Sequence, residues 1–269
     1  MRRQSERWRA RGRERGRVWL ARGLWTAAEV AVTLGVVVLL LVVHQLWWTN
    51  RQAREGAERQ VQALEQEWQQ EWQREPSERG TATEPPETGE VRESAPAPES
   101  GAGPGPTPPR ERRPPDAPRW DQAYAVIRIP RLGVVAPVAE GVAKRGVLDK
   151  GYVGHYPGTA QPGRAGNFAV AGHRNTHGEP FRYINRLRRG DTVEVETREG
   201  VYVYAVDRTL PRTLPGDTSV IDPVPRSSVR PGAGYGAAGR YLTMTTCTPE
   251  FSSTYRLVVW GRLAAVRPR

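Results

Sequence analysis

Residues 241–249 read Tyr241-Leu242-Thr243-Met244-Thr245-Thr246-Cys247-Thr248-Pro249, a β-type run that carries on to a thiol and is then broken by proline. A strand end fixes a side chain rigidly at the rim of a sheet while leaving its far side open. The surrounding texture agrees: from Trp120 onward, short β-type runs are punctuated by Gly and Pro. The expected strands are Tyr124–Ile129, Val134–Val138, Phe168–Ala171, Thr192–Glu196, Val201–Asp207, Arg240–Thr245 and Tyr255–Leu263. Val201 to Val206 mixes β-branched and aromatic residues as a half-buried strand does. Only Glu179–Arg188 suggests a short helix. Residues 119–269 thus read as one all-β domain, a barrel or a sandwich, long enough to bury a core.

Working toward the N-terminus, residues 76–118 hold twelve of the chain's 24 prolines and almost no large apolar residue. Such a segment cannot bury enough surface to offset its ordering entropy, so a disordered, partly extended linker is expected. Residues 49–75 are rich in Gln, Glu and Arg, with Val61, Leu64, Trp68 and Trp72 on a narrow helical stripe; the expectation is a solvated juxtamembrane helix. Before it, residues 24–48 form an apolar run long enough to span a bilayer, ending in Trp47 and Trp48. Trp47-Trp48-Thr49-Asn50 offers no small-residue cleavage site, which argues for a retained anchor.

The net charge of +11 alone would suggest nucleic acid or an acidic membrane. Nine arginines against two glutamates fall in residues 1–23, so most of the excess is a basic flank of the apolar run, and no nucleic-acid partner is expected. Residues 49–75 carry four Arg and six Glu, so the positive-inside rule places residues 1–23 in the cytoplasm and the β domain outside. An exported chain normally has disulfides available, yet Cys247 is its one cysteine. A lone thiol outside the cell is a liability unless it is buried or used.

The stretch ending in Cys247 resembles the T-L-x-T-C signature of sortases, with Met244 where the family usually has Leu, a swap of similar volume. Ala171-Gly172-His173-Arg174-Asn175-Thr176 resembles the family's catalytic-histidine segment, and Tyr255-Arg256-Leu257-Val258-Val259-Trp260-Gly261 its arginine strand. Residues 151–159 and Gly178-Glu179-Pro180-Phe181 are also sortase-like. The resemblance implies a sortase-like closed β-barrel with short helices and a cysteine transpeptidase. Cys247 would be the nucleophile, His173 the acid/base and Arg256 the oxyanion or substrate clamp. It further implies cleavage of a C-terminal sorting signal between Thr and Gly through a thioester, resolved by a peptidoglycan-precursor amine. In detail the segments look most like class E sortases of high-GC Gram-positive bacteria, a class associated with LAxTG rather than LPxTG signals. The chemistry needs the same three groups on its own terms: a paired thiol, a proton donor for the leaving amine and donors at the oxyanion.

Thr246, beside the thiol, and Tyr156 are candidate substrate contacts. His155 reads as structural or exposed, and His177, before Gly178-Glu179-Pro180, as a capping or surface residue. No His, Cys, Asp or Glu cluster has metal-ligand spacing and no phosphate loop is present, so no cofactor is expected. Two other readings are an L,D-transpeptidase, whose Ser-x-Gly-Cys setting is absent, and a tethered binding module with an incidental cysteine.

Overall fold

In a computed structural model, residues 2–79 and 122–268 are described, without the side chains of 2–23, Leu46 and 74–79. Among the described residues eight strands follow one helix, α1 (Arg2–Arg79): β1 (Ala123–Ile129), β2 (Val134–Glu140), β3 (Val153–His155), β4 (Gly166–Ala171), β5 (Thr192–Thr197), β6 (Gly200–Thr213), β7 (Arg240–Thr248) and β8 (Tyr255–Pro268). They close into a barrel in the order β1-β2-β3-β4-β7-β8-β6-β5. Two pairings are parallel, β2 with β3 and β4 with β7; the others are antiparallel. Eight strands enclose a space that side chains just fill. Here Ile127, Ile129, Val138, Phe168, Val170, Val193, Val195, Leu242, Met244, Leu257 and Val259 fill it. The sandwich alternative is thereby excluded.

Three local expectations change. β3 is a three-residue strand hidden in a Gly- and Pro-rich stretch, too short to leave a pattern. β6 and β8 each run 14 residues, because bulges at Val203/Tyr204, Val206/Arg208 and Leu210/Thr213 let the pair bend and continue. The helix expected over Glu179–Arg188 is reduced to a 3-10 turn at Ile184–Arg186. His177, Gly178 and Glu179 all have positive φ, and Phe181 is drawn fully into the core, so the chain turns there instead of coiling.

The chain divides into two compact units, Met1–Gln52 and Ala53–Arg269. Residues 24–43 of the first carry exposed apolar side chains. The helix from Leu24 to Gln73 holds a window of mean hydropathy 2.5, long and apolar enough by composition to cross a membrane. The basic-tail side chains and the expected linker beyond Arg79 lie outside the described residues.

In the second unit, the expectation of a solvated helix over 49–75 is corrected. Ala57, Val61, Leu64 and Trp68 are buried, each 6% exposed or less, against Ala123, Val126, Ala139, Val147 and Tyr152. The i, i+4, i+7, i+11 spacing puts them on one face, and the outward side chains of β1 and β2 supply the complementary surface. Arg128 of β1 bonds Glu65 of the helix and Glu196 of β5 (3.2 Å), and Tyr152 Oη donates to Gln60 Oε1 at 3.4 Å. The stripe looked solvated because it is narrow and flanked by charge; its partner is a sheet face far away in sequence. Leu64→Ala should therefore destabilise the second unit by about 2–4 kcal/mol, the usual cost of truncating a buried leucine. Chemical denaturation of the full chain in detergent, followed by tryptophan fluorescence, measures it.

Candidate active site

Parallel pairing sets the first relation. β4 lies beside β7 with Ala171 opposite Thr245, and two residues farther along each chain come His173 and Cys247. Antiparallel pairing sets the second: Cys247 is directly opposite Arg256 on β8, where facing side chains have Cβ atoms roughly 4.5–5.5 Å apart. Three neighbouring strands thus deliver the thiol, the imidazole and the guanidinium to one end of the sheet. Since Leu242 and Met244 point into the barrel, Thr243, Thr245 and Cys247 point to its outer face. On β8, Leu257 and Val259 point in while Arg256 shares that outer face. A second core of Leu210, Val220, Tyr235, Tyr241, Val258 and Trp260 covers the rest of it.

The histidine loop is stitched to β7. Gly172 N donates to Thr245 O (3.2 Å), Thr246 Oγ1 to Gly172 O (2.8 Å), and Arg174 Nη1 to Cys247 O (3.2 Å) and Thr248 Oγ1 (2.8 Å). Thr246, expected to touch substrate, is buried with its hydroxyl committed to this seam; it faces the barrel side of β7, opposite to Cys247. Cys247 is half-buried, and no hydrogen bond holds its Sγ among the described residues.

His173 Nε2 bonds Asp149 Oδ1 at 2.8 Å. A carboxylate accepting from Nε2–H fixes the ring and leaves Nδ1 for proton exchange. His177 does not cap a helix; its ring stacks on His173 with centroids 5.4 Å apart. The turn that presents it is clamped: Arg54 donates from Nε to Gly178 O (3.2 Å) and from Nη2 to Glu179 Oε2 (3.0 Å), while Arg182 Nη1 reaches the same oxygen (2.7 Å). His155 is a core residue, fully buried, with Glu140 (2.7 Å) and Tyr124 (2.9 Å) on Nδ1 and Thr159 (2.9 Å) on Nε2.

Arg256 Nη1 donates to Ser253 O (2.9 Å) and Tyr255 O (3.1 Å), anchoring one arm of the fork. Beside it opens a small cleft of about 80 Å³, walled by Tyr156, Leu214, Pro215, Thr218, Thr245 and Arg256 among others. Tyr156 Oη and Thr245 Oγ1 are 3.0 Å apart. Cys247 and His173 do not line this cleft, which reaches Thr245, the preceding outward residue of β7.

One wall is organised by Asp217, a residue that composition and motif gave no reason to notice. Its buried carboxylate accepts from Thr213 Oγ1, Ser219 Oγ, Ser227 Oγ, Ser228 N and Ser228 Oγ. Burial opposes its ionisation, but the hydrogen bonds from Ser227, Thr213 and Ser228 outweigh burial and bring its pKa from 3.8 to about 2. Asp149, Arg174 and Arg54 were likewise not anticipated; each acts across a long sequence separation.

The Sortase domain family model matches residues 127–264. The chain belongs to the sortase family. Within it, the chain is similar to Sortase SrtE1 of Streptomyces coelicolor, 41% identical over 246 residues covering 90% of this chain and 57% of that protein's length. It is also similar to Sortase SrtE2 of the same organism, 29% identical over 94% of this chain and 87% of the relative. The crystal structure of Sortase E1 from Streptomyces coelicolor with a tripeptide in its active site matches 55% of this chain and 92% of its own, at 52% identity and a TM-score of 0.52.

Because Asp217 titrates lower in the folded chain than in the unfolded one, its stabilisation is complete above pH 3.8 and lost as pH falls toward about 2. Asp217→Asn should remove that step from the acid-unfolding profile and cost about 1.5–3 kcal/mol at neutral pH, as for a lost charge-assisted hydrogen bond. Denaturation midpoints measured from pH 7 to pH 2 on both proteins check it.

Proposed function

We propose that this chain cleaves a C-terminal sorting signal of LAxTG or LPxTG type between Thr and Gly and joins the released acyl group to a cell-wall precursor amine. The carrying observation is the direct cross-strand pairing of Cys247 with Arg256, with His173 two residues beyond the paired end of β4. Cys247 Sγ attacks the threonine carbonyl carbon while Arg256, with one arm anchored, donates to the oxygen as it becomes negative. The C–N bond breaks, His173 gives its proton to the departing glycine amine, and a thioester remains. The incoming amine then attacks that carbonyl, His173 takes its proton, and the thiolate leaves. Asp149 stabilises the imidazolium form at each exchange.

The cleft beside Arg256 is the binding groove in this reading, with Tyr156 as a substrate contact. Residues 24–48 anchor the chain as a single membrane-spanning helix, residues 1–23 are cytoplasmic, and the barrel works outside on exported proteins. The similarity to class E relatives supports LAxTG over LPxTG. The other reading, a tethered binding module, makes Cys247 chemically idle.

Incubating the protein with LAxTG and LPxTG peptides and a free amine, with product masses read out, separates the readings. Cys247→Ala should fold but form neither thioester nor product. His173→Ala should lose about 10²–10⁴ in turnover. Arg256→Lys should be nearly as damaging as Arg256→Ala, each losing about 10²–10³, because a mobile ammonium cannot replace the fixed fork. A lysine variant with most of the wild-type kcat/KM would leave Arg256 as a source of general charge only.

A further inference from the structure

Asp149 lies in a 3-10 turn, 24 residues before His173 in sequence, and only His173 and His177 share a metal-ligand spacing, H-x3-H. The fold nonetheless brings their donor atoms together: Asp149 Oδ1, one nitrogen of His173 and one of His177 all lie within 4.8 Å of one another. Asp149 Oδ1 is 2.8 Å from His173 Nε2 and 3.7 Å from His177 Nδ1. Ligands around a tetrahedral zinc ion, with bonds of about 2.0–2.1 Å, are about 3.3 Å apart. The two measured edges bracket that value, so shifts of about half an ångström would seat the ion.

A second observation points the same way. His177 Nδ1 is buried and has no hydrogen-bond partner, since 3.7 Å to Asp149 is beyond hydrogen-bonding range. A buried ring nitrogen left without a partner is costly. His177 is moreover held at φ 52°, a left-handed backbone that an L-residue adopts only when its surroundings impose it. Those surroundings are the docked helix. Arg54 grips Gly178 O and Glu179, and a Cβ on Gly151, two residues past Asp149, would lie 2.9 Å from Ala53 O. Ala53 lies against one segment and its neighbour Arg54 grips the other, so the three donors are held ready.

We propose that Asp149, His173 and His177 form a binding site for a divalent transition-metal ion, zinc above all, and that its occupancy switches the enzyme off. Two imidazole nitrogens and one carboxylate oxygen with an open fourth position are a recognised zinc donor set. Coordination at Nε2 of His173 excludes the imidazolium, the form that protonates the leaving amine. Zinc therefore inhibits at the acid step and does not compete with the sorting peptide. The inhibition rests on the transpeptidase reading; the binding does not.

The test uses the full chain in detergent. Zn²⁺ is titrated in competition with a chromophoric chelator, and Co²⁺ absorption spectra are recorded for the wild type, Cys247→Ala, His177→Ala and Asp149→Asn. The expected result is one equivalent bound by both the wild type and Cys247→Ala, with Co²⁺ spectra that lack a thiolate charge-transfer band. His177→Ala and Asp149→Asn should each weaken binding by at least about tenfold, the lower end of what even an outer partner of a metal site is worth. Transpeptidation by the wild type should fall with zinc and recover with chelator, and His177→Ala, compared with its own zinc-free rate, should need correspondingly more zinc. Loss of binding in Cys247→Ala would make the thiol the ligand and overturn the assignment. Unchanged affinity in His177→Ala would overturn it as well. If no transpeptidation is found at all, the binding results still decide the site.

Discussion

The meeting of Cys247, His173 and Arg256 at one end of the barrel depends on the parallel pairing of β4 with β7. Six of the eight neighbouring relations in the barrel are antiparallel, and an antiparallel partner for β7 on both sides would have brought strand starts, not a second strand end, beside Cys247. Because β4 and β7 run the same way, the residues that follow β4 run on beside the last residues of β7, Thr246 to Thr248. His173 and Cys247 are therefore neighbours by ladder geometry, without a side-chain bond between them to hold the relation. Arg256 is fixed by the other edge of β7. A strand in the middle of three is a stiff platform, held along both edges by backbone hydrogen bonds.

Irregular chain flanks this platform on both sides, and each side is organised by one buried carboxylate. Glu179 accepts from Arg54 and Arg182 and fixes the turn that carries His177. Asp217 gathers hydroxyl and amide donors from residues 213–228 and fixes the wall opposite. Loops with few backbone partners need an acceptor of this kind, since a carboxylate can take several donors at once. The two hubs differ in one respect: Asp217 is satisfied from within its own loop, whereas Glu179 borrows Arg54 from the helix.

The sequence is informative where chemistry and periodicity coincide. Tyr241 to Pro249 reads as a strand end with a thiol, and the apolar strand residues that fill the barrel are recognisable from their β-type runs. What escapes it shares one property, a partner distant along the chain. The Val61, Leu64, Trp68 stripe looks solvated until Val126 and Ala139 are set against it. Asp149 sits in an ordinary Leu-Asp-Lys run, and only the fold carries it to His173. Thr246 looks like a substrate contact because it adjoins Cys247, yet the two-residue period of a strand sends adjacent side chains to opposite faces. β3 and the 3-10 turn at Ile184–Arg186 are too short for any periodic signal.

The packing of residues 57–68 on β1 and β2 also changes the meaning of the proline-rich stretch. Arg79 and Ala123 belong to the same compact unit, so the chain between them is tied at both ends to one body. Its length cannot set how far the barrel stands from residue 53. For a chain excursion closed at both ends, each doubling of length costs only about 0.6 kcal/mol in closure entropy, which makes this stretch tolerant of insertion and deletion. A single backbone cut within it would not free the barrel, because the two pieces would stay joined through Ala57, Val61, Leu64 and Trp68. In that sense the protein is a natural split pair, a helical fragment and a barrel fragment whose covalent join raises their effective concentration.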